Sequence, residues 1–204
     1  MYSDALHLSP RYLLLKRGLD ICGVIVVLGL TFPLMLLIAA AIKLESSGPV
    51  LFRQERVGRF GVPMILYKFR SMRQDAEKDT GPVWAAKNDA RATRVGRFLR
   101  RTHLDELPQI FNVLKNELSF VGPRPERECF IRTLKQQIPY YRLRVYIQPG
   151  ITGWAQVNSS YGDSVESSTE KLRYDLYYAK HASLGFDLNV LFQTVLHVVF
   201  GRGR

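Results

Sequence analysis

Two adjacent carboxylates with cations upstream are the residues best suited to chemistry. Asp105 and Glu106 stand next to each other, and four arginines precede them: Arg94, Arg97, Arg100 and Arg101. A carboxylate can attack phosphorus to give an acyl phosphate. A neighbouring carboxylate can hold Mg²⁺, which prefers oxygen ligands, and arginine forks can neutralise the transferring group. The stretch therefore predicts a phosphate site with a divalent ion.

The position of a proline places this pair at a helix start. A proline is tolerated in the first turn of a helix, so Pro108 predicts a helix that begins near Leu104 and spans Glu106–Leu118. Free backbone N–H groups and the positive end of the dipole favour phosphate there. They also favour acidic capping residues, so the pair alone leaves a structural role open.

Two further clusters suit phosphate binding. Arg124 lies between Pro123 and Pro125, which hold the backbone extended, and Lys68 and Arg70 alternate at the end of a β-rich run. The alternatives are a rigid turn with a solvent-facing arginine and a solvated strand edge.

An apolar segment, Ile21–Ile42, precedes these motifs. A helix of this length measures about 33 Å, enough to cross a bilayer core. Basic residues flank both ends and Pro33 predicts a kink, which favours a re-entrant helix over a span. Lys16 and Arg17 are predicted to anchor the segment at the membrane surface, and Asp20 is expected to have a cation partner.

The remaining elements are predicted from periodicity and turn signals. Val50–Val57 and Val62–Phe69 predict a hairpin, Gln74–Ala92 a polar loop, and Ile147–Val157 turns with short extended pieces. Besides Glu106–Leu118, helices are predicted at Arg94–Arg101, Glu126–Gln137, Ser168–His181 and Phe186–Phe200. The last is too apolar for a free surface and should lie in the core or the membrane interface.

The charge balance restricts the partners. The net charge of +11 indicates nucleic acid, an anionic membrane or phosphorylated substrates. Nucleic acid is rejected because neither aromatics interleaved with the cations nor a recognition module is visible. The four histidines have no zinc-ligand spacing.

Six motifs in their order resemble one known family, the bacterial sugar transferases, or monotopic polyprenyl-phosphate phosphoglycosyl transferases. The tail is most similar to enzymes of exopolysaccharide assembly. The similarity runs from about Lys16 to the C-terminus through Lys16–Asp20, Gly48–Val50, Lys68–Met72, Leu104–Gln109, Val121–Pro125 and Pro149–Gly153.

The resemblance implies a two-step transfer of a sugar phosphate. Asp105 would attack the β-phosphorus of a UDP-sugar and release UMP, and polyprenyl phosphate, of the undecaprenyl type, would then take up the sugar phosphate. Glu106, with Asp105, would hold Mg²⁺, with Mn²⁺ as the alternative ion. The implied phosphate-binding residues are Lys68, Arg70, Arg100, Arg101 and Arg124.

The resemblance also implies the architecture. We expect a mainly helical α+β fold: a re-entrant helix-break-helix in residues 1–44, broken at Thr31, Phe32 and Pro33, then a catalytic domain with a β-hairpin and interfacial amphipathic helices in residues 45–204. The expected location is the cytoplasmic face of the bacterial inner membrane, in contact with anionic lipids, and a homodimer is left open.

Two departures from the family and two rival readings remain. Relatives often carry Ser-Pro where this chain has Phe32-Pro33, and a small residue where it has His103.

The chain is either a natural short form or a fragment of a longer protein. The rivals are an inactive membrane scaffold and direct attack by the lipid phosphate, with Asp105 only a metal ligand. The sequence does not predict the sugar.

Overall fold

The computed structural model describes residues 8–76, 78, 81, 89–159 and 164–200, and is mainly helical. Two short 3₁₀ helices, Leu104–Gln109 and Tyr141–Tyr146, matter for the site. The strands are β1 (Leu51–Val57), β2 (Pro63–Phe69), β3 (Ser119–Val121) and β4 (Gly150–Thr152). The helices are α1 (Pro10–Glu45), α2 (Arg94–Arg101), α3 (Ile110–Leu114), α4 (Glu128–Gln137), α5 (Trp154–Asn158), α6 (Val165–His181) and α7 (Leu184–Val199).

The apolar segment forms one long helix. Ser9 caps α1 by accepting a hydrogen bond from the N–H of Tyr12 at 3.2 Å, and Pro10 occupies the first position. The helix continues through Thr31, Phe32 and Pro33, so the predicted break is not an interruption of the helix. The Thr31 hydroxyl donates to the carbonyl of Val27 at 2.7 Å, a local bond that tends to bend helices. The re-entrant topology stays a prediction.

Helix α1 is apolar enough to cross a membrane, and little of it is covered. Only 17% of its most apolar window is buried. Its exposed large side chains include Leu14, Leu15, Ile25, Val26, Leu30, Phe32, Leu36 and Leu37. An apolar surface of this extent indicates membrane association.

One side of α1 nevertheless packs on the rest of the protein. Val24 joins a core with residues of β2 and α3: Met64, Leu66, Ile110 and Val113. Further along, Met35, Ile38 and Ile42 pack on Phe69 and Leu99. One side of α1 therefore forms part of the core, while the other side carries the apolar surface that indicates membrane association.

The cations at the start of α1 differ from their expected surface role. Lys16 is buried, and its Nζ pairs with Asp187 Oδ2 of α7 at 2.8 Å and donates to Tyr178 OH at 3.1 Å. Arg17 donates to the carbonyls of Val113 and Leu114 at 2.6 and 2.8 Å. The surface-anchor interpretation was wrong for Lys16, because α7 supplies a buried counterion.

Asp20 is held by hydrogen bonds, and the expected cation, Lys16, acts on it electrostatically without forming an ion pair with it among the described residues. Its Oδ1 accepts hydrogen bonds from Ser119 Oγ at 3.0 Å and from the N–H of Phe120 at 3.1 Å. The nearby Lys16 pairs with Asp187 instead. Asp20 therefore ties α1 to β3.

The predicted hairpin is confirmed. Strands β1 and β2 pair antiparallel from Leu51 opposite Phe69 to Val57 opposite Pro63. Strands β3 and β4 form a second, parallel pair that the sequence did not predict. This pair approaches closely, since a Cβ on Gly122 would lie 2.2 Å from the carbonyl oxygen of Gln148.

The predicted helices agree in part. Helix α2 is confirmed, while α4, α6 and α7 begin within three residues of the expected positions. The predicted helix Glu106–Leu118 was wrong: a 3₁₀ helix, Leu104–Gln109, precedes α3, which ends at Leu114. Helix α5 was missed, and the predicted loop Gln74–Ala92 lies largely outside the described residues. Helix α7 packs in the core through the fully buried Val190, while Phe192 on the opposite side is exposed, so its placement in the membrane interface stays a prediction.

Candidate active site

Three elements bring charged side chains together around Glu106. Lys68 at the end of β2 places its Nζ 2.7 Å from Glu106 Oε1. Arg124, in the loop after β3, places its Nη2 2.7 Å from the same oxygen. Of the predicted site residues, Lys68, Glu106 and Arg124 form one cluster, which we call the Glu106 cluster.

The 3₁₀ helix sets the directions of the two carboxylates. His103 starts this helix in the left-handed conformation at φ 58°, and its carbonyl accepts from the N–H of Glu106 at 3.1 Å. With three residues per turn, Asp105 and Glu106 project about 120° apart. The helix has only six residues, so the dipole argument made for a full helix is weak here.

Asp105 is buried beside the Glu106 cluster. Its side chain is almost inaccessible, with the residue only 7% exposed. Its negative charge acts to raise the pKa of both Lys68 and Arg124, which places it within electrostatic reach of the two cations. The acid predicted to act as nucleophile thus lies next to the residues predicted to bind phosphate.

Glu106 is ionised at neutral pH. Burial alone would raise the pKa of Glu106, but Arg124 and Lys68 outweigh burial and hold that pKa well below its usual value. The Glu106 carboxylate in turn raises the pKa of Arg124. Burial lowers the pKa of Lys68, although the Glu106 carboxylate acts to raise it. Two cations therefore share one carboxylate, with a second carboxylate close by.

The loop that carries Arg124 is fixed through its backbone. The N–H of Gly122 donates to the carbonyl of Thr152 at 2.8 Å, and the N–H of Gly150 donates to the carbonyl of Pro123 at 2.9 Å. The Arg124 side chain is 43% exposed, whereas that of Lys68 is 19% exposed. Arg124 is thus the cation more open to a ligand.

Arg70 lies outside the cluster. It is buried, and it donates to the carbonyls of Ser47 and Ser46 at 2.6 and 2.8 Å, which holds the turn after α1. Strand β2 ends at Phe69, so the alternation that was expected to place Arg70 beside Lys68 does not continue. The α1 turn engages the Arg70 guanidinium, so the structure does not bring Arg70 into the Glu106 cluster, and its phosphate-binding role stays a prediction.

Arg100 and Arg101 are also separate from the Glu106 cluster. Both lie in the last turn of α2, where Arg100 is half-buried and Arg101 is exposed. Within the described residues, the ion pairs of Glu106 are with Lys68 and Arg124 and not with these arginines. Their predicted contact with phosphate stays a prediction.

The carboxylates fit a metal ion only if the substrate completes the site. Among residues 8–76, 78, 81, 89–159 and 164–200, no three His, Cys, Asp or Glu side chains converge on one point. Mg²⁺ commonly binds through one or two carboxylates together with phosphate oxygens and water. Asp105 and Glu106 match that donor set.

The sequence reasoning missed Asn112, which positions the site. Asn112 is fully buried in α3; its Oδ1 accepts from the N–H of Tyr67 at 3.1 Å, and its Nδ2 donates to the carbonyl of Ile65 at 2.6 Å. These bonds fix α3, and with it the 3₁₀ helix, against the strand that carries Lys68. An amide within the apolar stretch Ile110–Leu114 was the available signal.

Comparison with known proteins identifies what this arrangement resembles. The model of the family described as bacterial sugar transferase matches residues 11–201. A UDP-N-acetylgalactosamine-undecaprenyl-phosphate N-acetylgalactosaminephosphotransferase of Aeromonas hydrophila is 44% identical over 195 residues, which is 96% of this chain and 46% of the relative.

Two other relatives differ in length. A UDP-glucose:undecaprenyl-phosphate glucose-1-phosphate transferase of Escherichia coli is 46% identical over 89% of this chain and 39% of its own length. An exopolysaccharide production protein of Rhizobium leguminosarum bv. phaseoli is 39% identical over 90% of this chain and 94% of its own length. The chain thus spans less than half of the first two relatives.

Proposed function

Since the chain belongs to the bacterial sugar transferase family, we propose that it transfers a sugar 1-phosphate from a UDP-sugar to undecaprenyl phosphate and releases UMP. The observation that carries the proposal is the convergence of Lys68 and Arg124 on Glu106, beside the buried Asp105. The relatives named for this reaction and for exopolysaccharide production support it. The reaction would be the first membrane step of exopolysaccharide or glycoconjugate assembly.

The transfer would proceed in two displacements. A carboxylate oxygen of Asp105 attacks the β-phosphorus, the bond to the bridging oxygen breaks, and UMP leaves with the electron pair. A phosphate oxygen of the lipid then attacks the acyl phosphate, and the Asp105 carboxylate is regenerated. Arg124 and Lys68 offset the charge that develops on the transferring phosphoryl group. This assigns Asp105 a covalent role and the two cations an electrostatic one.

Glu106, with Asp105, would hold Mg²⁺, or alternatively Mn²⁺. The bound ion supplies positive charge to the diphosphate oxygens. The incoming diphosphate competes with Glu106 for Arg124, the more exposed cation, and so leaves Glu106 oxygens available as ligands. The ion and the diphosphate are therefore expected to bind together.

The proposed location is the cytoplasmic face of the inner membrane, with α1 re-entrant. The start of α1 is tied to the body through Lys16 and Asp187, and its end through Glu45, whose carboxylate accepts from the N–H of Arg94 at 2.7 Å. A helix of 36 residues measures about 54 Å, which exceeds a bilayer core of about 30 Å. Attachment of both ends to one body supports a helix that returns to the side it entered.

The test is to trap the covalent intermediate. We expect the wild-type protein, given UDP-sugars and Mg²⁺ without lipid acceptor, to release UMP and to carry a sugar phosphate on Asp105 that mass spectrometry detects. Asp105→Asn should form no adduct and should lower turnover about a thousandfold or more. Glu128→Gln is the control, because among the described residues Glu128 forms an ion pair with the exposed Arg132 of the same helix and with no group of the site.

The outcomes separate the alternatives. Turnover without an adduct, lost in Asp105→Asn, would indicate direct attack by the lipid phosphate with Asp105 as a metal ligand. Near-normal turnover of a folded Asp105→Asn would refute any essential role of this acid. If the wild-type protein turned over no UDP-sugar of a panel, the inactive membrane scaffold would be the remaining interpretation.

A further inference from the structure

A buried arginine outside the Glu106 cluster contacts the backbone of Arg124. Arg144, in the 3₁₀ helix Tyr141–Tyr146, donates from Nη2 to the carbonyl of Arg124 at 3.0 Å. The same Nη2 lies 2.9 Å from Asp175 Oδ2 of α6, and Nη1 donates to Tyr141 OH at 2.7 Å. One guanidinium thus joins α6, its own helix and the loop that carries Arg124.

This ion pair is poorly explained by stability alone. The side chains of Arg144 and Asp175 are 8% and 1% exposed. Removing both charges from water costs several kcal/mol per ion, and apolar residues of similar volume often stabilise a fold as well or better. What an apolar residue does not provide at this place is an N–H directed at the Arg124 carbonyl.

A second arginine holds the next carbonyl of the same loop. Arg56, on β1, donates from Nη1 to the carbonyl of Pro125 at 3.1 Å and lies 3.5 Å from Glu126 Oε2. The carbonyls of Arg124 and Pro125 are therefore both bound by partly or fully buried guanidiniums. Arg144 reaches its carbonyl from the 3₁₀ helix Tyr141–Tyr146, and Arg56 reaches its carbonyl from β1.

We propose that Arg144, oriented by Asp175, is a positioning residue: it fixes the backbone of Arg124 so that the Arg124 guanidinium meets Glu106 and the phosphates of the donor. The inference rests on the proposed function, since it gives Arg124 the donor phosphates as its ligand. Arg144 itself touches no reacting atom. A displacement of about 1 Å in a positioned group can lower a rate about a hundredfold.

Three variants separate positioning from stability. Arg144→Lys keeps a cation beside Asp175 but loses the guanidinium fork that also reaches the Arg124 carbonyl. Arg144→Gln removes the charge as well. Tyr141→Phe is the matched control, because it removes one buried hydrogen bond of Arg144 and leaves the contacts to Arg124 and Asp175. We expect about a tenfold or greater loss of kcat/KM for UDP-sugar in both Arg144 variants, and little change in Tyr141→Phe.

A double-mutant cycle tests whether Arg144 acts through Arg124. In an Arg124→Gln background, Arg144→Lys should change kcat/KM by no more than about twofold, because the group it positions is gone. Equal losses in both backgrounds would overturn the proposal. So would a Tyr141→Phe loss equal to that of Arg144→Lys, since a general weakening of the buried network would then suffice.

A readout independent of turnover distinguishes this inference from the proposed function. We expect phenylglyoxal to modify Arg124 faster in Arg144→Lys than in the wild type or Tyr141→Phe, as followed by mass spectrometry of the folded proteins. Equal rates would refute the positioning role even if the enzyme is active. If phenylglyoxal modifies Arg124 faster in Arg144→Lys but the wild-type protein turns over no UDP-sugar, the positioning role of Arg144 is supported and the proposed reaction is refuted.

Discussion

At the scale of single residues, Glu106 is the centre of the candidate site. It accepts from Lys68 and Arg124 through the same oxygen, so the protein's own carboxylate is a shared counterion of the two cations and leaves one positive charge in excess. An incoming diphosphate carries more negative charge than Glu106 and is expected to take over Arg124. The two cations can therefore bind an anionic ligand, and in the absence of that ligand they are paired with Glu106.

The depressed pKa of Glu106 predicts a pH-dependent contribution to stability. A carboxylate with a lowered folded-state pKa stabilises the protein fully above its unfolded pKa, near 4.5, and loses that stabilisation as the pH falls through the folded value. Glu106→Gln should therefore be less stable than the wild type by about 2 kcal/mol at pH 7, after discounting for the partly exposed Arg124.

Denaturant unfolding between pH 7 and pH 3 would measure this difference. We expect the difference in stability between wild type and Glu106→Gln to begin to narrow near pH 4.5 and to shrink further as the pH falls toward the folded-state pKa. Glu128→Gln, which breaks an exposed pair, should cost no more than about 0.5 kcal/mol at any pH. A gap for Glu106→Gln that does not change with pH would contradict the assignment.

Residue types alone predicted most residues of the candidate site but not the partner of each charge. Asp105, Glu106, Lys68 and Arg124 were predicted, and the last three meet in the structure. Arg70 and Lys16 were misplaced because their counterparts, the α1 turn and Asp187, are distant in sequence. No local pattern indicates which cation a distant element will bury.

At the scale of elements, a glycine permits α2 to lie directly beside the end of β2. A Cβ on Gly96 would lie 1.9 Å from the carbonyl oxygen of Ser71, which is far inside contact distance. This oxygen also accepts from the N–H of Thr93, the residue that caps α2. The contact fixes α2 next to the segment that follows Lys68.

Gly96→Ala should therefore destabilise the protein. We expect a loss of about 2 kcal/mol or more, because the methyl group meets backbone that cannot rotate away. Gly185→Ala, in the first turn of α7, is the control: its Cβ would have no neighbour within 4 Å, and alanine is the better helix former. Equal stabilities of the two variants by chemical denaturation would show that α2 is free to shift.

Elements with a local signal were predicted, and elements that depend on distant pairing were not. The hairpin β1–β2 has two β-rich runs and a short connection, and α2 has a capping threonine. Strands β3 and β4 have three residues each and pair across two intervening helices, α4 and the 3₁₀ helix Tyr141–Tyr146, so neither has a sequence pattern. Helix α3 ends early at Leu114, and Asn116 is left-handed at φ 60°, which periodicity did not reveal.

At the scale of the whole molecule, α1 lies along the protein body over most of its length. Its contacts run from Lys16 with α7 to Ile42 with Phe69 and Leu99, and its exposed side carries the large apolar residues. The body therefore lies against the helix that we propose to enter the lipid. Such an arrangement would keep the Glu106 cluster near the membrane surface, where soluble donor and lipid acceptor can both reach it.

Cysteine accessibility would test the re-entrant topology. In a background without Cys22 and Cys129, single cysteines at Ser9 and Ser46, the two caps of α1, should react with a membrane-impermeant maleimide from the same side. We expect labelling in inverted inner-membrane vesicles and none in intact cells. Labelling of the two positions from opposite sides would establish a span, and the body would then have to rearrange.

The pairing of Lys16 with Asp187 has a consequence for biosynthesis. The two residues are 171 positions apart, so at about 5–20 residues per second the ribosome makes Asp187 roughly ten to thirty seconds after Lys16. During that interval the Lys16 ammonium of α1 has no counterion from α7. Water or lipid headgroups can solvate this charge in the meantime, and synthesis of α7 then supplies the buried counterion that fixes the start of α1 to the rest of the protein.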